Sequence, residues 1–250
     1  MLNFYMISSG SRGNSTIIWD ESDLIVIDCG ISLKRFMDKT SAFDLGPLEK
    51  SVFISHEHSD HSSGVKAVSR RLKMDVYSKR MTLDRMGMDS AYSIDGEIAI
   101  GNFSIIPVGI SHDAVDPVAY IIKNRGLKVS VVSDLGIVDD ALIKEMENSD
   151  IMAIEANHDR EMLANGPYPE ALKRRISSDH GHLSNEQSAE AIYSAAGKNT
   201  KIILTHLSEK NNMPDIALNT VKSYLLNRKK EFESIECASQ DYGSTHYNIK

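Results

Sequence analysis

The sequence predicts an α/β protein in which two strand-rich halves, each interleaved with helices, pack around one core. Three observations carry that expectation. Short β-branched runs alternate with helix-period stretches along all 250 residues, the second half repeats the order of the first, and no linker or low-complexity stretch divides them. One domain over residues 1–250 is therefore expected, with two sheets packed together and helices outside.

NFYMIS, STIIW, LIVID and SVFIS read as strands, because each is β-branched or apolar and is bounded by Gly, Ser or Asp turn signals. All four lie in the first 55 residues, so the chain is expected to open as a meander. A helix over about 62–72 follows, then the strand MDVYS, a helix from Lys79, and strands at GEIAI, FSIIPV, VAYII and KVSVVS. Helices near 137–148, 169–177, 185–196 and 214–228 surround the remaining strands, IMAIEA and KIILTH.

Composition removes several classes of function. Hydrophobic content of 41% with 25% charged residues is ordinary for a globular chain. No apolar run approaches the roughly 20 residues of a membrane span, and the N-terminus lacks a secretory pattern, so a cytoplasmic protein is expected. A net charge of −7 argues against a broad basic face for coating nucleic acid, leaving KNRGLK (123–128) and LKRR (172–175) as local patches or plain solvated faces. Cys29 and Cys237 stand in no CxxC pair and read as buried free thiols.

The stretch HEHSDHSSG (56–64) concentrates three histidines and two acids just after the strand SVFIS. Polar side chains gathered at a strand's C-terminal end mark the usual place for chemistry in α/β sheets. Residues two apart in extended chain face one side, so His56 and His58 can meet one cation, while Asp60 and His61 point to a neighbouring one. Imidazole mixed with carboxylate suits zinc, manganese or iron rather than calcium or magnesium. His112, Asp134 and His206 each follow an apolar strand in the same way. Taken singly they read equally as a loop histidine, a helix N-cap and a satisfied core histidine; together with HxHxDH they read as further ligands.

VIDCG (26–30), SHEHSDH (55–61), GISHD (109–113), VVSDLG (131–136) and LTHLS (204–208) occur in the order found in the metallo-β-lactamase-fold hydrolases, which the chain resembles over nearly its whole length. The resemblance implies a four-layer αββα sandwich with a dinuclear metal centre at its rim. Position by position, it implies that His56, His58 and His112 hold one metal, that Asp60, His61 and His206 hold the other, and that Asp134 bridges them. Asp28 then orients the site through hydrogen bonds. The implied cofactors are two divalent ions, Zn²⁺ or Mn²⁺, with Fe²⁺ as an alternative. Zinc β-lactamases place cysteine where Asp134 stands, which lowers the lactam reading.

IEANHD (154–159) and GHLSNEQSAEA (181–191) are similar to motifs of tRNase Z, in which Glu155 and His182 form a dyad and His182 protonates the leaving oxygen. Asp60, Glu155 and His182 are the catalytic candidates. SSGSRGNS, GPYPEALKRRISSDHGHLSNEQSA and LTHLSEKNN resemble the YycJ/WalJ-type branch, regarded as 5′ to 3′ DNA exonucleases linked to repair. The chain has room for neither the inserted domain of β-CASP nucleases nor the tRNase Z arm. The expected activity is a metal-dependent phosphodiesterase, with DNA rather than RNA as its nucleic-acid partner and no membrane. An RNA-processing nuclease and a thioester or lactone hydrolase of the glyoxalase II type are the alternatives. Ser11, Arg12 and Asn14 in the Gly/Ser loop, with His158 and His180, are candidates for holding substrate, and Lys173, Arg174 and Arg175 for guiding the strand.

Overall fold

The computed structural model describes residues 1–250. Strands β1 (Leu2–Ser8), β2 (Ser15–Trp19), β3 (Asp23–Ile27), β4 (Glu49–Phe53), β5 (Asp75–Ser78) and β6 (Tyr92–Ser93) form one sheet. The second contains β7 (Ile98–Ile100), β8 (Phe103–Gly109), β9 (Val118–Asn124), β10 (Leu127–Val132), β11 (Ile151–Glu155), β12 (Lys201–Thr205) and β13 (Ser234–Cys237). The last strand, β14 (Tyr247–Ile249), returns to pair antiparallel with β1, so each sheet has seven strands. In both sheets three antiparallel pairings are followed by three parallel ones.

Three apolar clusters glue four layers together. Side chains of successive strand residues face opposite sides, so Ile18 and Ile25 enter the core between the sheets while Ile17 and Val26 pack outward. The inner core joins Phe4, Ile18 and Phe53 of the first sheet to Phe103, Tyr120 and Ile203 of the second. Outside the first sheet lie Phe36, Val65 and Val68 from helices; outside the second lie Leu142, Ile192, Val221 and Leu225. The architecture is the αββα sandwich. With both faces covered, the central strands β2, β3 and β11 are buried at every position, and each large apolar side chain there contributes roughly 1.5–3 kcal/mol.

Several details differ from the sequence reading. The meander ends after three strands, because β4 pairs parallel with β3 through a crossover containing the helix Leu33–Thr40. The helix expected over 62–72 is two, Ser59–Ser62 and Val65–Leu72, with Gly64 at the break. A Cβ on Gly64 would overlap the Ile31 carbonyl, so the chain turns there only with glycine. The short strands β6, β13 and β14 and the helix Arg160–Asn165 lack the length or periodicity that would have announced them.

Candidate metal centre

The parallel strands all point their C-terminal ends to one rim, and the loops leaving them carry the polar residues. His56 and His58 lie in the loop after β4, and Asp60 and His61 on the helix Ser59–Ser62. His112 follows β8, Asp134 follows β10, Glu155 ends β11 and His206 directly follows β12. Asp28, Asp134 and His206 adopt left-handed backbone (φ 57°, 60° and 52°). That conformation is sterically costly away from glycine, and it turns each side chain sharply off its strand into the rim.

The side chains converge at the rim. His56, His58 and His112 offer three ring nitrogens within 4.8 Å of one another, and Asp60, His61 and His206 offer a carboxylate oxygen and two ring nitrogens equally close together. Asp134 reaches both sides, grouping with His56 and His61 and also with Glu155, His182 and His206. Its Oδ2 lies 2.7 Å from His61 Nε2 and its Oδ1 3.2 Å from His206 Nδ1.

Hydrogen bonds fix the rings. Ser55 donates its backbone N–H (2.8 Å) and its hydroxyl (2.9 Å) to Asp28, and its Oγ lies 2.9 Å from His56 Nδ1. Asp28 Oδ2 also accepts from His61 Nδ1 at 2.7 Å. His112 Nδ1 donates to the Gly181 carbonyl at 3.2 Å. With Nδ1 engaged, His56 aims Nε2 inward, and that atom is buried with no partner; His206 Nε2 is buried with no partner nearer than Asp60 Oδ2 at 3.5 Å. Buried donors or acceptors without good partners are rare in folded proteins, and two such imidazole nitrogens beside Asp60, Asp134 and Glu155 fit divalent cations. Electrostatics agrees. Burial would lower the His206 ring, but the Asp134 carboxylate beside it carries its pKa to about 10; His61 is likewise raised against burial by Asp134 and Asp28. The carboxylates thus demand positive charge where cations would sit.

Glu155 is fully buried and serves more partners than a dyad. Its Oε1 accepts from His182 Nδ1 and from His206 Nδ1, each at 2.8 Å, while Oε2 accepts the N–H of Leu135 (3.2 Å) and Leu183 (3.1 Å). Burial raises its pKa, yet the His182 charge and these bonds outweigh it and leave the carboxyl at about 2. Glu155 therefore orients two rings at once. The shared contact with His206 was missed in sequence because nothing local links strands β11 and β12.

The remaining expected residues are distributed unevenly. Asn14 reaches the cluster, its Nδ2 lying 2.9 Å from His61 Nε2 and its Oδ1 accepting from Gly10 N at 2.8 Å. Ser11 is exposed, and Arg12 pairs with Glu209 (2.7 Å) and Asp241 (3.2 Å). The N–H groups of Gly10, Arg12 and Gly13 all donate within the protein. His158 is buried with Nδ1 unpartnered; His180 is exposed, its Nδ1 2.9 Å from Ser111 Oγ. Lys173 donates to the Ala164 carbonyl, Arg175 pairs with Asp113, and Arg174 is exposed. KNRGLK forms the β9–β10 turn at the opposite end of the sandwich, away from the cluster. Ser55 and Ser9, whose Oγ accepts from His206 N at 2.7 Å, were not singled out, although Ser55 lies inside the SHEHSDH block.

Comparison with known proteins points to one superfamily. Residues 24–207 match a family model described as a beta-lactamase superfamily domain. The chain is 35% identical over 235 residues to "Exodeoxyribonuclease WalJ" of Streptococcus pneumoniae, covering 89% of this chain and 87% of that one. It is 31% identical to "Exodeoxyribonuclease YycJ" of Bacillus anthracis, covering 90% and 89%. Among solved structures, the metallo-beta-lactamase fold protein YhfI of Bacillus subtilis superposes with a TM-score of 0.74 at 14% identity, over 99% of this chain and all of that one. The short form of human tRNase Z superposes at 0.65 and 14%, over 99% of each.

Proposed function

The chain belongs to the metallo-β-lactamase superfamily and is a metal-dependent hydrolase, and from that premise we propose that it removes nucleotides stepwise from the 5′ end of DNA. Two relatives named as exodeoxyribonucleases, matched over most of their length, support the substrate class. His56, His58 and His112 would hold one divalent ion and Asp60, His61 and His206 the other, with Asp134 between them; Zn²⁺ and Mn²⁺ both suit these donors. When bound, such a pair brings water toward ionisation at neutral pH and neutralises charge on phosphoryl oxygens.

The observation that carries the phosphodiester reading is His182. Its Nδ1 is held by Glu155 at 2.8 Å, and the ring remains 19% exposed, so Nε2 is the nitrogen left to meet substrate. A phosphodiester loses an alkoxide, a poor leaving group that needs a proton as its bond to phosphorus breaks. His182 can give that proton from Nε2 while Glu155 keeps the ring fixed. Asp28 and Ser55 hold the histidines on the far side in one orientation.

The test is single-turnover hydrolysis of 5′-labelled DNA by metal-stripped protein refilled with Mn²⁺ or Zn²⁺, with RNA and a thioester alongside. Stepwise release from the 5′ end of DNA is expected. His182→Ala should slow it roughly 10²- to 10⁴-fold at unchanged metal content, and far less for a p-nitrophenyl ester, whose leaving group needs no proton. Thioester cleavage with inert DNA would overturn the proposal.

A further inference from the structure

A cavity of about 470 Å³ opens beside His112, within the size range of small-molecule sites, and the hydrolytic chemistry leaves it unused. Ile110, Val115, Ile137 and Leu142 supply apolar wall. Val115 and Ile137 remain 38% and 48% exposed, large apolar side chains kept at the mouth where the fold gains little from them. Gly109 at the end of β8 also lines the cavity, and a Cβ on it would meet no heavy atom within 4 Å.

Apart from His112, which belongs to the cluster, and His180, whose Nδ1 lies 2.9 Å from Ser111 Oγ, the polar side chains of the lining suit a base better than a phosphate: Asp116 and Asp139 line it and no lysine or arginine does. Asp139 uses Oδ1 to cap the helix Asp140–Met146, accepting from Leu142 N at 2.8 Å, and Asp116 receives Thr82 Oγ1 through its backbone carbonyl, which leaves its half-buried carboxylate as an acceptor. The Ser111 hydroxyl is already committed to the Asp179 carbonyl at 2.7 Å. Carboxylates repel a phosphate but accept from the ring N–H and amino groups of a base, and aliphatic walls sandwich a flat ring.

We infer that this cavity seats the nucleobase of the terminal nucleotide, leaving its phosphodiester over the His/Asp cluster; the inference rests on the nuclease reading above. A terminal base swings out of its stack at lower cost than an internal one, so a base cavity touching the cluster favours removal from an end over internal cleavage.

The test uses Zn²⁺-loaded protein with isotope-labelled isoleucine methyl groups, titrated with deoxycytidine 5′-monophosphate and, separately, with 2-deoxyribose 5-phosphate. The nucleotide should shift the Ile110 and Ile137 signals and spare Ile25 in the inner core, while the sugar phosphate should leave Ile137 unmoved. In hydrolysis, an abasic terminal residue should lower kcat/KM about tenfold, and Ile137→Ala, at a position too exposed to unsettle the core, should erase most of that gap. Equal shifts from nucleotide and sugar phosphate, or equal cleavage of abasic and ordinary ends, would overturn the inference. If no DNA is cut yet the nucleotide still shifts Ile137, the base cavity stands and the exonuclease reading falls.

Discussion

At the end of the sandwich opposite the histidines, the buried Asp20 carboxylate accepts from Ser22 N (2.9 Å), Asp23 N (3.0 Å), Asn102 Nδ2 (3.0 Å) and Asn124 Nδ2 (3.0 Å). At the histidine end, His56 Nε2 is buried with no hydrogen-bond partner, and His206 Nε2 has only the Asp60 carboxylate at 3.5 Å. Both ends tie the first sheet to the second through acidic residues in strand-connecting loops. One is closed by the protein's own donors and the other is left open to an incoming cation. A complete hydrogen-bond complement around a buried charge marks a structural device, and an incomplete one marks a ligand site. Substitutions at the two ends should therefore fail in different assays.

The largest effect should come at Asp134. Asparagine tolerates the left-handed backbone there, so Asp134→Asn keeps the turn and removes the charge shared by both trios. Metal content measured by atomic absorption should fall, and turnover should drop by more than the roughly hundredfold typical of outer partners. Retention of both metals and full turnover would place the bridging charge elsewhere. Asp28→Asn comes next. Both Asp28 oxygens accept now, Oδ1 from Ser55 N at 2.8 Å and Oδ2 from His61 Nδ1 at 2.7 Å, and an amide NH2 in either place would face a donor, so metal affinity should weaken roughly 10- to 100-fold by competition with a chelating dye. An unchanged affinity would mean that Ser55 alone orients the histidines.

The histidine end was far more legible than the opposite one, and the reason is range. HxHxDH is local, and strand periodicity placed His112, Asp134 and His206 at strand ends, so a rim where they meet followed from the fold. The Asp20 cluster joins residues 82 and 104 positions apart through three turns of unremarkable composition, and no spacing rule connects them. The same limit hid the second role of Glu155. Its motif placed it beside His182, but the 2.8 Å contact to His206 depends on β11 and β12 lying side by side. VIDCG and VVSDLG share a D-x-G corner whose purpose is tertiary and so invisible in sequence. A Cβ on Gly30 would overlap the backbone of Asp60, and one on Gly136 the backbone of Ser178 and Asp179, so each glycine lets its corner close onto the loop that brings histidines to the rim.

The smallest effect on activity, and the sharpest contrast, belongs to Asp20. Asp20→Ala leaves two backbone N–H groups and two amides without their acceptor and should cost roughly 2–3 kcal/mol in urea unfolding, with metal content and turnover unchanged. Burial alone would raise this carboxyl, but the backbone N–H of Ser22, the Asn124 amide and their neighbours hold it far below its ordinary 3.8. A folded-state pKa that is depressed contributes stability above the unfolded value, and that contribution is lost as pH falls toward the folded one. The gap between the native protein and Asp20→Asn should therefore be full near neutrality and should narrow when the pair is compared again at about pH 2.5. Metal loss in acid affects both proteins and cancels in the difference. A gap that stays constant with pH would show that the donors reward the shape of the side chain rather than its charge, and the contrast between a closed and an open end would then rest on the histidines alone.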